Sequence, residues 1–194
     1  MLTELEVGRF LEELASDSPT PGGGSVAAVS GSMGAGFVSM VCRLTIGKKG
    51  YETVEALMTE TLDTTEKIRG SLSVLIDEDT NAFNQVMAAF RMPKGTPEEK
   101  EERLVAIQAG FKKASEIPHT VAQYCLDILE RIRIIVGKAN SNTLSDLGVA
   151  AQTAYAGVEG AVMNVRINLP SIKDTPWAEK KKPGWRASHP GGKG

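Results

Sequence analysis

The sequence is poor in aromatic residues, cysteine and histidine, and each shortage excludes a class of protein. Aromatic residues make up 5% of the 194 residues while Gly occurs 20 times, which favours close helix packing over a sheet-based core. The two cysteines, Cys42 and Cys125, are too few for a disulfide framework and are expected to be free, buried thiols. The two histidines, His119 and His189, stand at ligand spacing from no other His or Cys, so no metal site is predicted.

Extremes of charge and hydropathy are also missing. The formal net charge of −2 gives no argument for a nucleic-acid or membrane partner. The N-terminal stretch MLTELEVGRFLEEL is acidic and amphipathic, unlike a signal peptide. The most apolar segment, residues 26–46, contains several serines and Arg43, so we do not expect it to span a membrane. We therefore expect a cytoplasmic protein.

The hydrophobic pattern predicts an all-α fold of about six helices in an antiparallel bundle with one long central helix, and no alternating strand pattern interrupts it. The long helix, residues 52–90, would be about 55–60 Å if straight. Capping residues and prolines in the sequence indicate where the predicted helices begin. The predicted helices begin at Thr3, Ser25, Glu52, Thr96, Pro118 and Ser145, the first from a capping box formed by Thr3 and Glu6.

The chain divides by composition into a helical domain, residues 1–172, and a tail, residues 173–194. The tail is rich in Pro, Gly and Lys and carries six Lys/Arg against two acids. Trp177 and Trp185 are its expected anchors. Together with Lys180–Lys182 they would also form a docking strip for an acidic protein partner.

One polar residue interrupts an apolar helical seam. Leu72, Ile76, Phe83 and Val86 recur at helical spacing, and the missing member of the series, inside the stretch LIDEDTNAF, is Asp79. Burying a carboxylate is unfavourable unless it is paired or its pKa rises. Such a group suits general acid–base chemistry or the stabilisation of a cation.

A structural role is the alternative for Asp79, with Lys48, Arg43 or a backbone amide as its partner. Asp77, two residues earlier, falls on a polar stripe, so a solvated position is predicted for it. The two carboxylates point away from each other on a helix and do not form a metal pair. Sequence periodicity alone leaves the choice between function and structure at Asp79 open.

A glycine-rich loop, Pro21-Gly22-Gly23-Gly24-Ser25, stands directly before a predicted helix. Free backbone N–H groups and the helix dipole could face an anion there. The loop lacks the GK[ST] ending of a P-loop, and no strand precedes it. A tight connection between two packed helices is the alternative. Glycines inside the following helix, at 31, 34 and 36, predict the close approach of a neighbouring helix or a ligand.

Several motifs together resemble one family. They are SPTPGGGSVAA, MVCRLTIGKKGY, LIDEDTNAF, RMPKGTPEEK, LSDLGVAA and NVRINLPSIKD, and they cover roughly residues 5–174. The chain is similar to the cyclodeaminase family, which comprises the C-terminal half of formiminotransferase-cyclodeaminase and stand-alone methenyltetrahydrofolate cyclohydrolases. The resemblance implies an all-α fold, a homodimer or an assembly of dimers, and a folate substrate. It also implies that Asp79, the second Asp of a DxDxxAF motif, is catalytic.

The expected reaction is hydrolysis of 5,10-methenyltetrahydrofolate to 10-formyltetrahydrofolate, with Asp79 as general acid/base and cation stabiliser and with no cofactor. The glycine loop and Lys48 would bind the anionic glutamate tail, and Asp146 and Asn164 the pterin. The expected substrate-binding residues are Gly22, Gly23, Gly24, Ser25, Lys48, Asp146 and Asn164.

Three other functions stay open at this stage. The first is cyclodeamination of formiminotetrahydrofolate with release of ammonia. The second is a non-catalytic folate-binding or assembly module, and the third is a purely structural bundle. Hydrolysis is favoured over deamination because no formiminotransferase domain accompanies the sequence. Where family members usually continue into a further C-terminal helix, a basic tail follows here, which leaves the oligomeric state and activity open.

Overall fold

In a computed structural model, residues 1–182 are described, and they form helices joined by short turns. No strand occurs in this range, which confirms the all-α prediction. The α-helices are α1 (Val7–Leu14), α2 (Gly23–Arg43), α3 (Glu55–Arg91), α4 (Pro97–Ile135), α5 (Leu144–Asn168) and α6 (Thr175–Lys181). Single 3₁₀ turns lie at Leu2–Glu4, Glu52–Val54, Ser141–Thr143 and Leu169–Ser171.

Helices α2 to α5 form a four-helix bundle, with α2 and α4 in contact across its short diagonal. Ser25 at the start of α2 bonds to Asp79 late in α3, and Ser39 Oγ lies 3.0 Å from Thr65 Oγ1 early in α3. The two helices therefore run in opposite directions. The same reversal relates α2 to α5 and α3 to α4, so the antiparallel arrangement is as predicted.

The helix at the centre of the bundle is α2, which has 21 residues, whereas α3 and α4 have 37 and 39. The prediction of one long central helix is therefore wrong, because there are two long helices, α3 beside α2 and α4 diagonally across from it, and α2 itself is shorter. By length and composition alone α2 could cross a membrane, since its mean hydropathy reaches 1.5 over 18 residues. Of that window 56% is buried by the rest of the chain, as in the core helix of a bundle.

Glycines allow α2 to approach its neighbours. A Cβ on Gly31 would lie 2.5 Å from Cys125 Sγ, and one on Gly34 would lie 3.1 Å from the Ala150 carbonyl. The predicted close approach is confirmed at these two positions but not at Gly36, whose nearest neighbour is a side-chain carbon at 3.9 Å. The thiol of Cys125 is free and buried, as predicted, and burial raises its pKa to about 12.

Pro118 does not open a helix, as predicted, but lies buried inside α4. A proline there removes one intrahelical hydrogen bond and normally ends or kinks the helix. Its missing N–H would have bonded to the carbonyl of Ala114, and that carbonyl instead accepts the side chain of Asn168 at 2.9 Å. The side chain from α5 replaces the lost bond, so two predicted helices are one.

The capping box predicted for Thr3 and Glu6 is also wrong. Thr3 lies in a 3₁₀ turn, and α1 begins only at Val7. The segment is held instead by Asp77 of α3, whose carboxylate accepts the backbone N–H of Leu2 at 2.6 Å and the Thr3 hydroxyl at 3.1 Å. Asp77 is therefore a half-buried anchor rather than the solvated residue that was expected.

The start of α5 and the C-terminal segment also differ from expectation. Thr143, not Ser145, occupies the N-cap position of α5. After α5 a further helix, α6, forms within the segment expected to be a tail, so residues 1–182 still contain six α-helices. The side chain of Trp177 packs there with a buried cluster that includes Leu169 and Ile172. Trp185 lies outside the described residues, and the division of the chain at residue 172 stays a prediction.

Candidate active site at the start of α2

The carboxylate of Asp79 lies between α3 and the first turn of α2. The backbone N–H of Ser25 donates to its Oδ2 at 2.8 Å, and the Ser25 hydroxyl lies 3.2 Å from the same oxygen. The seam that singled out Asp79 is real, because Leu72 and Ile76 are 0% and 6% exposed. Among residues 1–182, hydrogen bonds reach the carboxylate only through Oδ2.

The hydroxyl of Ser25 has more acceptors than protons. It lies 2.8 Å from the Ile76 carbonyl as well as 3.2 Å from Asp79 Oδ2, yet it carries one hydrogen. When Asp79 is ionised, the hydroxyl can donate to the carboxylate. When Oδ2 is protonated, it can donate to Ser25, whose own hydrogen then goes to Ile76. The contact therefore fits both protonation states of Asp79.

The glycines of the loop make room for this contact. A Cβ on Gly24 would overlap Oδ1 of Asp79 and lie 2.5 Å from its Cγ. A Cβ on Gly23 would lie 2.9 Å from Nδ2 of Asn164 on α5. The two glycines thus bring the start of α2 against functional side chains of α3 and α5. Both glycines lie inside α2, which begins at Gly23 rather than at Ser25.

Burial raises the pKa of Asp79 above its ordinary value, and the hydrogen bonds from Ser25 offset part of that rise. No Lys or Arg within residues 1–182 forms an ion pair with it. Arg43 pairs with Glu66 at 3.3 Å, and Lys48 donates to Asn140 at 2.7 Å. Of the structural partners considered for Asp79, only the backbone amide is present, and the carboxylate keeps one oxygen for other chemistry.

A cavity of about 420 Å³ opens beside Asp79. Its wall is mostly apolar and aromatic, and its residues with polar side chains are Thr20, Asp79, Asn164 and Asn168. Apolar pockets with a few fixed polar groups are typical of small-molecule sites. The lining residues are Pro19, Thr20, Gly22, Gly23, Asp79, Phe83, Val86, Met87, Phe90, Phe111, Ala114, Asn164, Ile167 and Asn168. Such a cavity can hold a flat, partly apolar cation.

The predicted site residues fall into two groups. Asp79, the glycine loop with Ser25, and Asn164 meet at the start of α2. Lys48 follows the other end of that helix, and Asp146 lies in the first turn of α5, next to Lys48's partner Asn140. From Ser25 to Arg43, α2 rises roughly 27 Å at 1.5 Å per residue. Within one chain, Lys48 and Asp146 therefore do not reach the cavity.

The Lys48 end is a closed junction between two loops. Asn140, which is 7% exposed, donates its backbone N–H to Thr45 Oγ1 at 3.0 Å and its side-chain amide to the Leu44 carbonyl at 3.1 Å. Its Oδ1 accepts from Lys48 and from the backbone N–H of Asn142. Each polar atom of the Asn140 side chain is thus used inside the chain.

The cavity residues that sequence reasoning did not assign to the site include Phe90, Phe111 and Asn168. Asn168 follows Asn164 by four residues, so helical periodicity already placed both on one face. The two phenylalanines lie on different helices and meet edge to face with ring centroids 6.1 Å apart. No local pattern pairs them. Among the described residues, no three His, Cys, Asp or Glu side chains cluster in a way that could hold a metal.

Comparison with known proteins gives a consistent result. A family model described as formiminotransferase-cyclodeaminase matches residues 6–185. The chain is 45% identical over 172 residues to the methenyltetrahydrofolate cyclohydrolase of Methylorubrum extorquens, covering 89% of this chain and 83% of that protein. It is 37% identical to the formimidoyltransferase-cyclodeaminase of Gallus gallus, covering 87% of this chain but 31% of that much longer protein.

A solved structure is similar over nearly the whole chain. The crystal structure of formiminotetrahydrofolate cyclodeaminase from Thermotoga maritima aligns with a TM-score of 0.83 at 30% sequence identity. The alignment covers 93% of this chain and 86% of the other. Sequence and fold therefore lead to the same set of proteins.

Proposed function

The chain belongs to the formiminotransferase-cyclodeaminase family, and on that premise we propose that it hydrolyses 5,10-methenyltetrahydrofolate to 10-formyltetrahydrofolate. It is an enzyme of the folate cyclohydrolase and cyclodeaminase class. The finer assignment to hydrolysis is supported by the similarity to the Methylorubrum extorquens cyclohydrolase, since the alignment covers most of both proteins. The observation that carries the chemistry is the partly paired, half-buried carboxylate of Asp79 beside a cavity.

The substrate's charge fits this carboxylate. The methenyl carbon joins N5 and N10 of the folate and shares a positive charge with them. Ionised Asp79 offsets that charge in a site with apolar walls, where electrostatic attraction is stronger than in water. The apolar ring surfaces of the folate can lie against Phe83, Phe90 and Phe111.

Asp79 then serves as base and acid in turn. It takes a proton from water as the oxygen bonds to the methenyl carbon. It returns that proton to N5 as the bond between this carbon and N5 breaks, leaving a formyl group on N10. The second proton of water goes to solvent, so the cation and water give neutral product and one proton. The Ser25 hydroxyl stabilises both protonation states of Asp79 during this cycle.

The reaction as written needs water and one carboxylate, so we propose that no cofactor takes part. We place the activity in the cytoplasm, where the buried thiols of Cys42 and Cys125 would stay reduced. Gly22 and Gly23 line the cavity, and Gly24 and Ser25 follow them against Asp79. We propose that this segment lies nearest the reacting carbon. Asn164 faces the same cavity from α5 and is proposed to contact the pterin.

Lys48 and Asp146 have a place in this proposal only if a second chain supplies them. Both lie at the end of the bundle remote from Asp79, so they could reach a cavity only in a partner copy. We propose a homodimer in which Lys48 of one chain meets the glutamate tail of a folate held by the other. Lys48 Nζ has one hydrogen bond inside the chain and two hydrogens left for a carboxylate.

Cyclodeamination of formiminotetrahydrofolate is the second candidate, and the similarity to the Thermotoga maritima cyclodeaminase favours it. N10 would attack the formimino carbon, and ammonia would leave with a proton delivered by an acid. Asp79 could supply that proton from the same position. Ammonia release distinguishes the two reactions, because hydrolysis of the methenyl compound produces none.

The test follows the near-UV absorbance of 5,10-methenyltetrahydrofolate above its spontaneous decay. Wild-type protein should accelerate the decay, and Asp79→Asn should lose roughly 10²–10⁴-fold in turnover, the usual contribution of a general acid or base. The matched control is Asp77→Asn on the same helix. It should stay near wild-type turnover because Asp77 anchors the N-terminal segment through Leu2 and Thr3.

The possible results of these assays distinguish between the candidate functions. Equal losses in the two variants would contradict the assignment of Asp79. No acceleration by the wild type would exclude hydrolysis, and release of ammonia from formiminotetrahydrofolate would then establish the second candidate. Absence of both activities would leave a non-catalytic folate-binding or assembly module.

A further inference from the structure

Two asparagines on α5 line the cavity, and the side-chain nitrogen of each donates to a backbone carbonyl. The Nδ2 of Asn164 donates to the Gly160 carbonyl at 2.8 Å, and the Nδ2 of Asn168 donates to the Ala114 carbonyl at 2.9 Å. An asparagine amide donates only through nitrogen and accepts only through oxygen. Each nitrogen uses one of its two hydrogens on a carbonyl, which fixes the orientation of the amide, and each oxygen remains as an acceptor.

Pro118 is the reason that Asn168 is held so firmly. In a regular helix the N–H of residue 118 would bond to the Ala114 carbonyl, and the Asn168 amide would have to share that acceptor. The proline lacks that N–H, so the carbonyl accepts Asn168 instead. A proline inside a helix is normally strongly destabilising relative to alanine. The stability of α4 alone therefore gives no reason for a proline at this position.

Asn168 and Ala114 both line the cavity that contains Asp79. No donor within residues 1–182 reaches Oδ1 of Asn168, so its oxygen has unused capacity beside the space for a ligand. Residues four apart on a helix have Cβ atoms about 5–6 Å from each other. The two asparagines therefore lie side by side along one wall, each with an amide oxygen that accepts no hydrogen bond within residues 1–182.

We propose that Asn168 is a substrate-binding residue, locked by Pro118 as a hydrogen-bond acceptor, and that with Asn164 it recognises the N–H donors on the pterin edge of the folate. The inference rests on the proposed function, because it names how the same cavity orients its substrate. Asp79 stabilises the positive charge on the one-carbon bridge, while the two asparagines bind the pterin ring. Pro118 is a positioning residue, since it acts through the Asn168 amide.

The first test is kinetic. Asn168→Ala should raise KM about tenfold with little change in kcat, which is the effect of one hydrogen bond between neutral groups. It should also lower Tm, because the Ala114 carbonyl loses its partner. Pro118→Ala should raise KM less, since the restored N–H competes for that carbonyl and frees the amide to turn.

The double variant Pro118→Ala/Asn168→Ala separates binding from structure. Its new N–H at residue 118 can bond to Ala114, so Tm should recover relative to Asn168→Ala while KM stays high. Recovery of both Tm and KM would show that Asn168 is only a structural partner of α4 and would overturn the proposal. An unchanged KM in Asn168→Ala would also overturn it.

Ligand binding distinguishes this inference from the proposed reaction. 5-Formyltetrahydrofolate carries the pterin donors, whereas p-aminobenzoylglutamate lacks the ring. The first compound should raise the Tm of wild type more than that of the double variant, and the second should affect both equally. This pattern without turnover would retain the pterin site and reject the reaction. Turnover with equal Tm shifts in both proteins would reject the pterin site alone.

Discussion

The two ends of α2 both gather polar side chains, but they use them differently. At the Lys48 end, the buried side chain of Asn140 donates a hydrogen bond through its amide nitrogen and accepts hydrogen bonds through its oxygen, all with partners in the same chain. At the other end, Asp79 uses one oxygen for Ser25 and keeps the other beside a cavity. Both ends carry motifs of the family. A candidate site is distinguished here by unused hydrogen-bonding capacity next to open space, not by the density of polar residues.

The largest expected effect on turnover comes from filling the space around Asp79 at the start of α2. Gly24→Ala would drive a methyl group into the Asp79 carboxylate, so the carboxylate must leave its contact with Ser25. We expect turnover to fall at least 10²-fold, as for loss of a positioned general base. Gly36→Ala on the same helix is the control, because its Cβ would meet nothing closer than 3.9 Å. Similar losses from both variants would mean that α2 tolerates no methyl group, and the comparison of the two ends would fail.

A moderate effect on KM is expected from substitution at the Lys48 end of α2. If Lys48 of a partner chain binds the glutamate tail, Lys48→Ala should raise KM about tenfold, equivalent to about 1.4 kcal/mol. The loss should be greater for a polyglutamylated substrate than for the monoglutamate. Lys49→Ala, which changes the exposed neighbour, should alter neither value. A lower Tm with identical kinetics for both substrates would restrict Lys48 to its bond with Asn140.

The smallest effect concerns stability and pH. Because burial raises the pKa of Asp79, the folded protein holds that proton more tightly than the unfolded chain. This contribution is complete below the ordinary pKa of Asp and is lost as pH rises through the raised value. The Tm of Asp79→Asn minus that of wild type should therefore increase with pH and then level off. Melting curves across this range give the measurement, and a difference independent of pH would contradict the raised pKa.

Much of this organisation was predictable because it depends on local patterns. The Thr96 cap and its N1 proline were read correctly, and the break in the seam at Asp79 identified the residue that meets Ser25. The errors at Pro118 and at Thr3 involve contacts between segments distant in sequence. Pro118 continues a helix only because Asn168 replaces its hydrogen bond, and Thr3 is held by Asp77 rather than by its own capping box.

The division of the site residues shows the same limit. The spacing of residues on helices placed Asn164 and Asn168 on one face, but it could not tell that Lys48 lies at the opposite end from Asp79. That separation follows from the direction of α2, which begins at the cavity and ends at the Asn140 junction. Motifs that follow one another in sequence can thus belong to different ends of the same helix.

The thiol of Cys125 sits where Gly31 and Gly157 leave no space for a methyl group. With its pKa raised to about 12, it is almost never a thiolate near neutral pH, and it is 0% exposed. Alkylating reagents attack the thiolate, so they can modify Cys125 only after α4 has moved away from the glycines of α2 and α5 that cover its thiol. The rate of Cys125 alkylation therefore measures how often the bundle opens at the helices that build the cavity.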